Sequence, residues 1–177
     1  MKTKDLILCA LSAVFMAICS WTSIPTSIPF TMQTFAVFFI IFVLGAKKAA
    51  ISITVYILMG AIGIPVFSGF TSGMGILFGS TGGYIIGFLL SALFLSITKF
   101  IYKKSSIKTL IFSFISLFIC YTAGTLWFYL VYTSSTGTIT YSGILAMCVV
   151  PFIIPDTIKI LLAFYVSKII KSRIYDD

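Results

Sequence analysis

Six apolar runs, joined by connections that are alternately basic and uncharged, constrain this chain more than any single motif does. Lys2 and Lys4 precede the first run, Lys47 and Lys48 follow the second, the cluster from Lys99 to Lys108 follows the fourth, and Lys168, Lys171 and Arg173 close the last. The connections between these carry no Lys or Arg. Basic residues collect on the cytoplasmic side of membrane proteins, so both termini are expected there and the number of crossings is even. The expected fold is an all-α membrane protein, one integral domain over residues 1–177. Its six transmembrane helices fall near 6–21, 33–44, 49–63, 83–101, 110–132 and 142–170, the last broken at 151–155 by Pro151 and Pro155.

Composition agrees, with 60% hydrophobic and only 9% charged residues. The net charge of +8 suggests nucleic acid only until the lysines are located, because they punctuate the ends of runs and form no stripe. A cleaved signal peptide fits the first run poorly, since no small-residue cleavage site lies between Leu6 and Ile24-Pro25. The four cysteines, Cys9, Cys19, Cys120 and Cys148, have no paired spacing and read as packing residues. The chain has no His and no Glu, which removes most general-base and metal chemistry. Any catalysis would have to rest on Asp, Lys, Tyr, Ser or Cys.

Nine of the thirteen glycines fall between Gly60 and Gly87. Irregular backbone beside lipid is tolerated only where protein or a cavity satisfies its polar groups. The stretch is therefore expected to form an extracellular lid, between helices 3 and 4, and one wall of a small-molecule site. Gly75, Gly79, Gly83 and Gly87 recur every four residues, so a helical part would present a smooth face for close packing. The GSTGG run lacks a following Lys and a preceding strand, which argues against a phosphate loop. On the first run Ala10, Ala13 and Ala17 share nearly one face, serving either an external partner or a neighbour in the bundle.

Asp156 and Lys159 are the Asp and Lys set deep in an apolar run, and their i, i+3 spacing puts them on one helix face. A charge at membrane depth costs a few kcal/mol or more, so it meets a partner or a wet cavity. A self-satisfied ion pair and a ligand contact both fit. Pro155 suggests a helix starting there, with Asp156 either capping it or sharing the cavity with its free N–H groups. Gln33, at the start of a short run, is either an interfacial residue, a helix partner or a site residue. Phe67, Phe70, Tyr84, Tyr121 and Trp127 suit an apolar pocket, although Trp127, Tyr129 and Tyr132 equally suit an interfacial belt.

Four ordered motifs, PFTMQTF at 29–35, GIPVFSGF at 63–70, GSTGGYIIGF at 79–88 and VPFIIPDTIK at 150–159, closely resemble those of BioY, the biotin-specific S component of energy-coupling factor (ECF) transporters. The resemblance extends over nearly the whole chain. It implies an S-component bundle in a bacterial plasma membrane that captures biotin on the outer side, a binding subunit and not an enzyme, with no catalytic residue, metal or cofactor. It further implies docking on a transmembrane coupling protein with two ATP-binding subunits, and toppling of the filled subunit within the bilayer. By the same resemblance Asp156 and Lys159 read the ureido head group, with Gln33, Phe67, Ser68, Gly69, Thr81, Gly82, Gly83 and Tyr84 completing the biotin site. Ala10, Ala13 and Ala17 become the coupling-protein interface. Some members carry Asn after the PVF run, where this chain reads Ser68-Gly69.

The competing readings are an S component for another vitamin, a stand-alone or ion-driven biotin carrier, an intramembrane enzyme and a purely structural protein. An ion-driven carrier wants further membrane carboxylates, and Asp156 alone is available. An enzyme built on Asp156, Lys159 and a tyrosine lacks paired carboxylates and His.

Overall fold

The structure is a computed structural model that describes residues 2–26, 28–102, 105–136 and 140–175. Lys103 and Lys104 of the basic connection, residues 137–139 of the polar turn after the fifth run, and Met1, Ser27, Asp176 and Asp177 lie outside the described residues. The helices are α1 (Thr3–Trp21), α2 (Gln33–Leu44), α3 (Ala46–Ala61), α4 (Met74–Phe78), α5 (Gly82–Tyr102), α6 (Ser106–Thr136), α7 (Tyr141–Cys148) and α8 (Val150–Tyr175). Two short strands, β1 (Ser23–Ile24) and β2 (Phe30–Thr31), pair antiparallel between α1 and α2, and a 3-10 turn covers Ser68–Phe70.

Among the described helices α1, α5, α6 and the run formed by α7 and α8 are long and apolar enough to cross a membrane. Their outward faces carry exposed Leu, Ile, Val and Phe, such as Leu11 and Val14 on α1, Ile97 and Phe100 on α5, and Ile154 and Ile158 on α8. Apolar surface of that extent is stable only against lipid or another protein. The twelve residues of α2 are too few to span by themselves, and eight of them are buried. A helix that is apolar all round belongs inside a bundle. It packs against α8, α3 and α1, while α5 lies along α6 and α1 along α3.

Inside the bundle the residues are small or quietly polar. Ser91 of α5 donates to the Ser116 carbonyl of α6 at 2.6 Å, whereas Ser12, Ser52 and Ser113 donate back to carbonyls of their own helices. Gly83 and Gly87 bring α5 against α6, because a Cβ on Gly83 would lie 2.2 Å from the Trp127 Cβ and one on Gly87 2.8 Å from the Cys120 Sγ. The four-residue glycine series does not make one face. Gly75 belongs to α4 and has open space around it, and the chain leaves helical geometry at Gly79 before α5 begins.

Three further expectations are corrected. The last run is interrupted at Val149, not across 151–155, and α8 continues through Pro155. Pro151 sits in the first turn, where its missing N–H had no helical partner to lose, so Pro155 removes just one bond. Asp156 is consequently an interior residue of α8, and no helix starts at Pro155 for it to cap. Ala13 and Ala17 are 0% and 3% exposed and pack within the bundle in this structure, not on its outer face. Of that trio Ala10 alone lies on the outer face, beside Leu11, Val14 and Ile18.

Candidate functional site

The end of the bundle away from the lysine-rich connections encloses a cavity of about 320 Å³, lined from the β1–β2 hairpin, α2, α3, the glycine-rich stretch, α5, α6, α7 and α8. That volume lies near the lower end for small-molecule sites, roughly 300–1,000 Å³. Its walls are largely apolar, with Ile28, Phe67, Ile76, Phe88, Leu117 and Phe152 among them.

One polar cluster is set into this wall. Asp156 and Lys159, 4% and 5% exposed, pair at 2.8 Å between Lys159 Nζ and Asp156 Oδ1. Tyr121 of α6 donates its hydroxyl to Asp156 Oδ2 at 2.8 Å. Lys159 also donates to the Thr31 carbonyl at 2.7 Å, and its Nζ lies 3.9 Å from the centre of the Phe30 ring. Phe30 in turn stacks on Phe152 of α8, with ring centres 6.0 Å apart. Two charges taken out of water are tolerable only with such complete pairing.

The hydrogen-bond inventory shows what remains for a ligand. A carboxylate has about four lone-pair positions and an ammonium three protons. Lys159 and Tyr121 occupy one position on each oxygen of Asp156, and Asp156 and Thr31 take two protons of Lys159. The cluster therefore retains two acceptor positions and one donor.

A second set of bonds shapes the opposite wall. Gln33 Nε2 donates to the Tyr56 hydroxyl at 3.1 Å, and Tyr56 donates to the Val66 carbonyl at 3.1 Å. The Tyr56 ring meets Phe67 edge-on at 5.6 Å. Tyr84 shares a 3.1 Å hydrogen bond with Thr125 of α6, which holds its ring flat against the wall formed by Gly124.

The glycine-rich stretch is pinned at both ends by indoles. Trp21 donates to the Pro65 carbonyl at 2.8 Å and stacks on Phe70 at 4.8 Å. Trp127 donates to the Gly79 carbonyl at 3.0 Å, which ties α6 to the end of the stretch. Between these ties Gly69 and Phe70 adopt φ of +68° and +59°, a left-handed pair that reverses the chain.

Of the expected site residues, the fold brings Gln33, Phe67, Ser68, Thr81, Tyr84, Asp156 and Lys159 to the cavity. Gly69, Gly82 and Gly83 are not on its lining. Gly69 is exposed in the turn, Gly82 packs against the Leu77 backbone and Gly83 against Trp127. Sequence reasoning missed Phe30, Thr31 and Tyr56, and assigned Tyr121 a ring but not its hydroxyl. The motif PFTMQTF contains Phe30 and Thr31, yet nothing local connects them to Lys159, 128 positions away.

The BioY family model matches residues 1–176. The chain is 36% identical over 162 residues to the biotin transporter BioY2 of Lactococcus lactis, covering 91% of this chain and 86% of that one. It is 30% identical over 169 residues to a probable biotin transporter BioY of Pyrococcus horikoshii, covering 95% and 96% of the two chains. Its fold is similar to the crystal structure of the S component for biotin from an ECF-type ABC transporter, with a TM-score of 0.83, 23% identity, and 97% and 95% of the two chains covered.

Proposed function

Because the chain belongs to the BioY family, we propose that it is the biotin-capturing subunit of an ECF-type uptake system, energised by a transmembrane coupling protein and two ATP-binding subunits. The observation that carries this reading is the Asp156–Lys159–Tyr121 cluster on the cavity wall, with two acceptor positions and one donor to spare. A ureido ring offers two N–H donors and one carbonyl acceptor, the complement of that remainder. Phe67, Tyr84 and the aliphatic wall suit the thioether ring and the pentanoyl chain. The carboxylate end then falls toward Ser68, Ser80 and Thr81, whose hydroxyls have no bond among the described residues.

Family membership places the protein among transporters and not enzymes. In this reading all residues form one membrane domain with six crossings: α1, α2, α3, α5, α6 and the joined α7 and α8. Both termini and the lysine-rich connections face the cytoplasm. The membrane is the bacterial plasma membrane, and the lid over the outer side is the glycine-rich stretch. Gly69, Gly82 and Gly83 shape that lid rather than touching biotin. Docking on the coupling protein falls to the outer face of α1 that includes Ala10.

Titration of biotin, thiamine and riboflavin into the detergent-purified chain tests the ligand class. Saturable heat with biotin alone is expected. A folded chain that ignores biotin, or binds thiamine as well, overturns the assignment. Tyr121→Phe removes a hydrogen bond to a charged group, worth about 1.5–3 kcal/mol. Its biotin dissociation constant is expected to rise by about tenfold or more, with helix content unchanged by circular dichroism. An unaltered constant would remove Tyr121 from the recognition cluster.

A further inference from the structure

The lysine-rich end of the bundle contains a second cavity, of about 430 Å³, with no part in the reading above. It lies at the far end of α2. Gln33 and Thr34 line the first cavity, whereas Ile41 to Leu44 line this one, roughly a helix length of 12 residues, or ~18 Å, away. Lys99 from the end of α5 and Lys168 and Lys171 from the end of α8 converge on it. Ser105 and Ser106, where α6 begins, form a third side; the Ser105 N–H is bonded to the Tyr102 carbonyl, and the Ser106 N–H is a first-turn donor with no carbonyl of its own helix to meet.

Three features together call for an anion. The lysines come from two helices that meet at the cavity, so they are not one solvated stripe. Both acids among the described residues are already committed, Asp5 to Lys48 at 2.6 Å and Asp156 to Lys159 at 2.8 Å. Among the described residues Lys99 and Lys171 have no anionic partner, and Lys168 has a ring contact, with its Nζ 4.7 Å from the centre of Phe164. The rest of the lining mixes apolar side chains, Ile41, Phe42, Val43, Leu44, Leu95 and Phe164, with the hydroxyls of Tyr102, Thr109, Ser113 and Ser167, each of which already donates to a backbone carbonyl. Next to it α5 exposes Ile97 and Phe100, 72% and 81% accessible, as lipid-facing side chains at that end of the helix. A site with a cationic rim, a partly apolar floor whose hydroxyls are already bonded, and an apolar flank suits a headgroup that arrives attached to acyl chains. A free anion has no use for the apolar part.

We propose that this cavity holds the phosphate of an anionic phospholipid, with Lys99, Lys168 and Lys171 and the first turn of α6 around it. Basic pockets between membrane helices on the cytoplasmic side are suited to such headgroups. The inference rests on the membrane-spanning reading and not on the identity of the ligand at the other end.

The test uses the whole chain in neutral detergent, with its thermal midpoint followed as lipid is added. Phosphatidylglycerol is expected to raise the midpoint saturably, while phosphatidylcholine and inorganic phosphate leave it in place. In Lys99→Gln/Lys168→Gln/Lys171→Gln the phosphatidylglycerol concentration for half effect should rise by about tenfold or more, given the loss of three surface charges. In Lys2→Gln/Lys4→Gln/Lys47→Gln, which removes the same charge from exposed positions at the same end, it should stay at the parental value. Biotin titration, read in parallel, reports that each variant is folded and keeps the two proposals separately testable. An equal response to phosphatidylcholine, or equal loss in both triple variants, would overturn the site. A response to inorganic phosphate as strong as that to phosphatidylglycerol would overturn the lipid as its source. Unchanged lipid response in Lys99→Gln/Lys168→Gln/Lys171→Gln with uptake lost in cells would reassign the cavity to a protein partner.

Discussion

Asp156→Asn is expected to weaken biotin binding by about a hundredfold or more, ~3 kcal/mol, because it both removes a charge and reverses a hydrogen-bond polarity. Asp156 accepts from Lys159 and Tyr121, and in the proposed complex from the ureido N–H groups too. An amide in its place presents an NH2 to one of these donors, so one contact becomes donor against donor. The variant also leaves the 5%-exposed Lys159 ammonium without a counter-charge, which costs about 3–5 kcal/mol of stability. Loss of binding alone would therefore not separate a ligand anchor from a brace for α8. The double variant Asp156→Leu/Lys159→Met does separate them. Replacing a buried pair by apolar residues of similar size is often neutral or stabilising, so the thermal midpoint should return to near the parental value. Biotin binding should remain absent. A double variant that is stable and still binds would show that the pair only holds the helix, and the recognition account would fall with it.

Gly82→Ala is expected to cost about 2–3 kcal/mol of stability and to weaken biotin binding as a consequence of the displaced wall. An added Cβ would lie 1.7 Å from the Leu77 carbonyl oxygen and 2.5 Å from its carbon. These are backbone atoms of α4, and no side-chain rotation relieves the contact. The turn from α4 to α5 has to open, which carries Thr81 and Tyr84 away from the cavity. Gly75→Ala is the control, since its Cβ meets nothing within 4 Å. Thermal unfolding of the two variants in the same detergent measures the difference. Equal midpoints would mean that the packing at Gly82 is not what the geometry says.

The broad architecture was legible because lipid and water impose their signature locally. Runs of apolar residues define helices without any tertiary knowledge, and α1, α5, α6 and the run of α7 and α8 lie where such runs were expected. Asp156 and Lys159 were legible for a related reason: charge deep in an apolar run is too costly to be incidental. The polar partners were not, because a backbone carbonyl such as that of Thr31 has no residue type and every chain has one at every position. Phe30 was equally silent, as one more aromatic among 18 phenylalanines.

The misreadings have local causes as well. Spacing identifies which alanines share a face of α1 but not what that face meets, and Ala13 and Ala17 turned inward. Prolines report a lost donor, not the position of the helix start, so Pro151 in a first turn and Pro155 one turn later were both accommodated. The four-residue spacing of Gly75, Gly79, Gly83 and Gly87 makes one face only within a single helix, and the chain makes two there.

Lys159 grips both the ion partner on its own helix and the backbone of the β1–β2 hairpin. Any motion that lifts the hairpin from α8 must break that second bond, in a place where little water is at hand to replace it. The speed of opening and the strength of holding are thus written into one ammonium group. In the proposed complex, a substitution that loosens the hairpin through this residue would shorten the ligand's residence and blunt its recognition together. Tuning the two apart has to happen elsewhere, at the indole ties of Trp21 and Trp127, which hold the facing loop without touching the polar cluster.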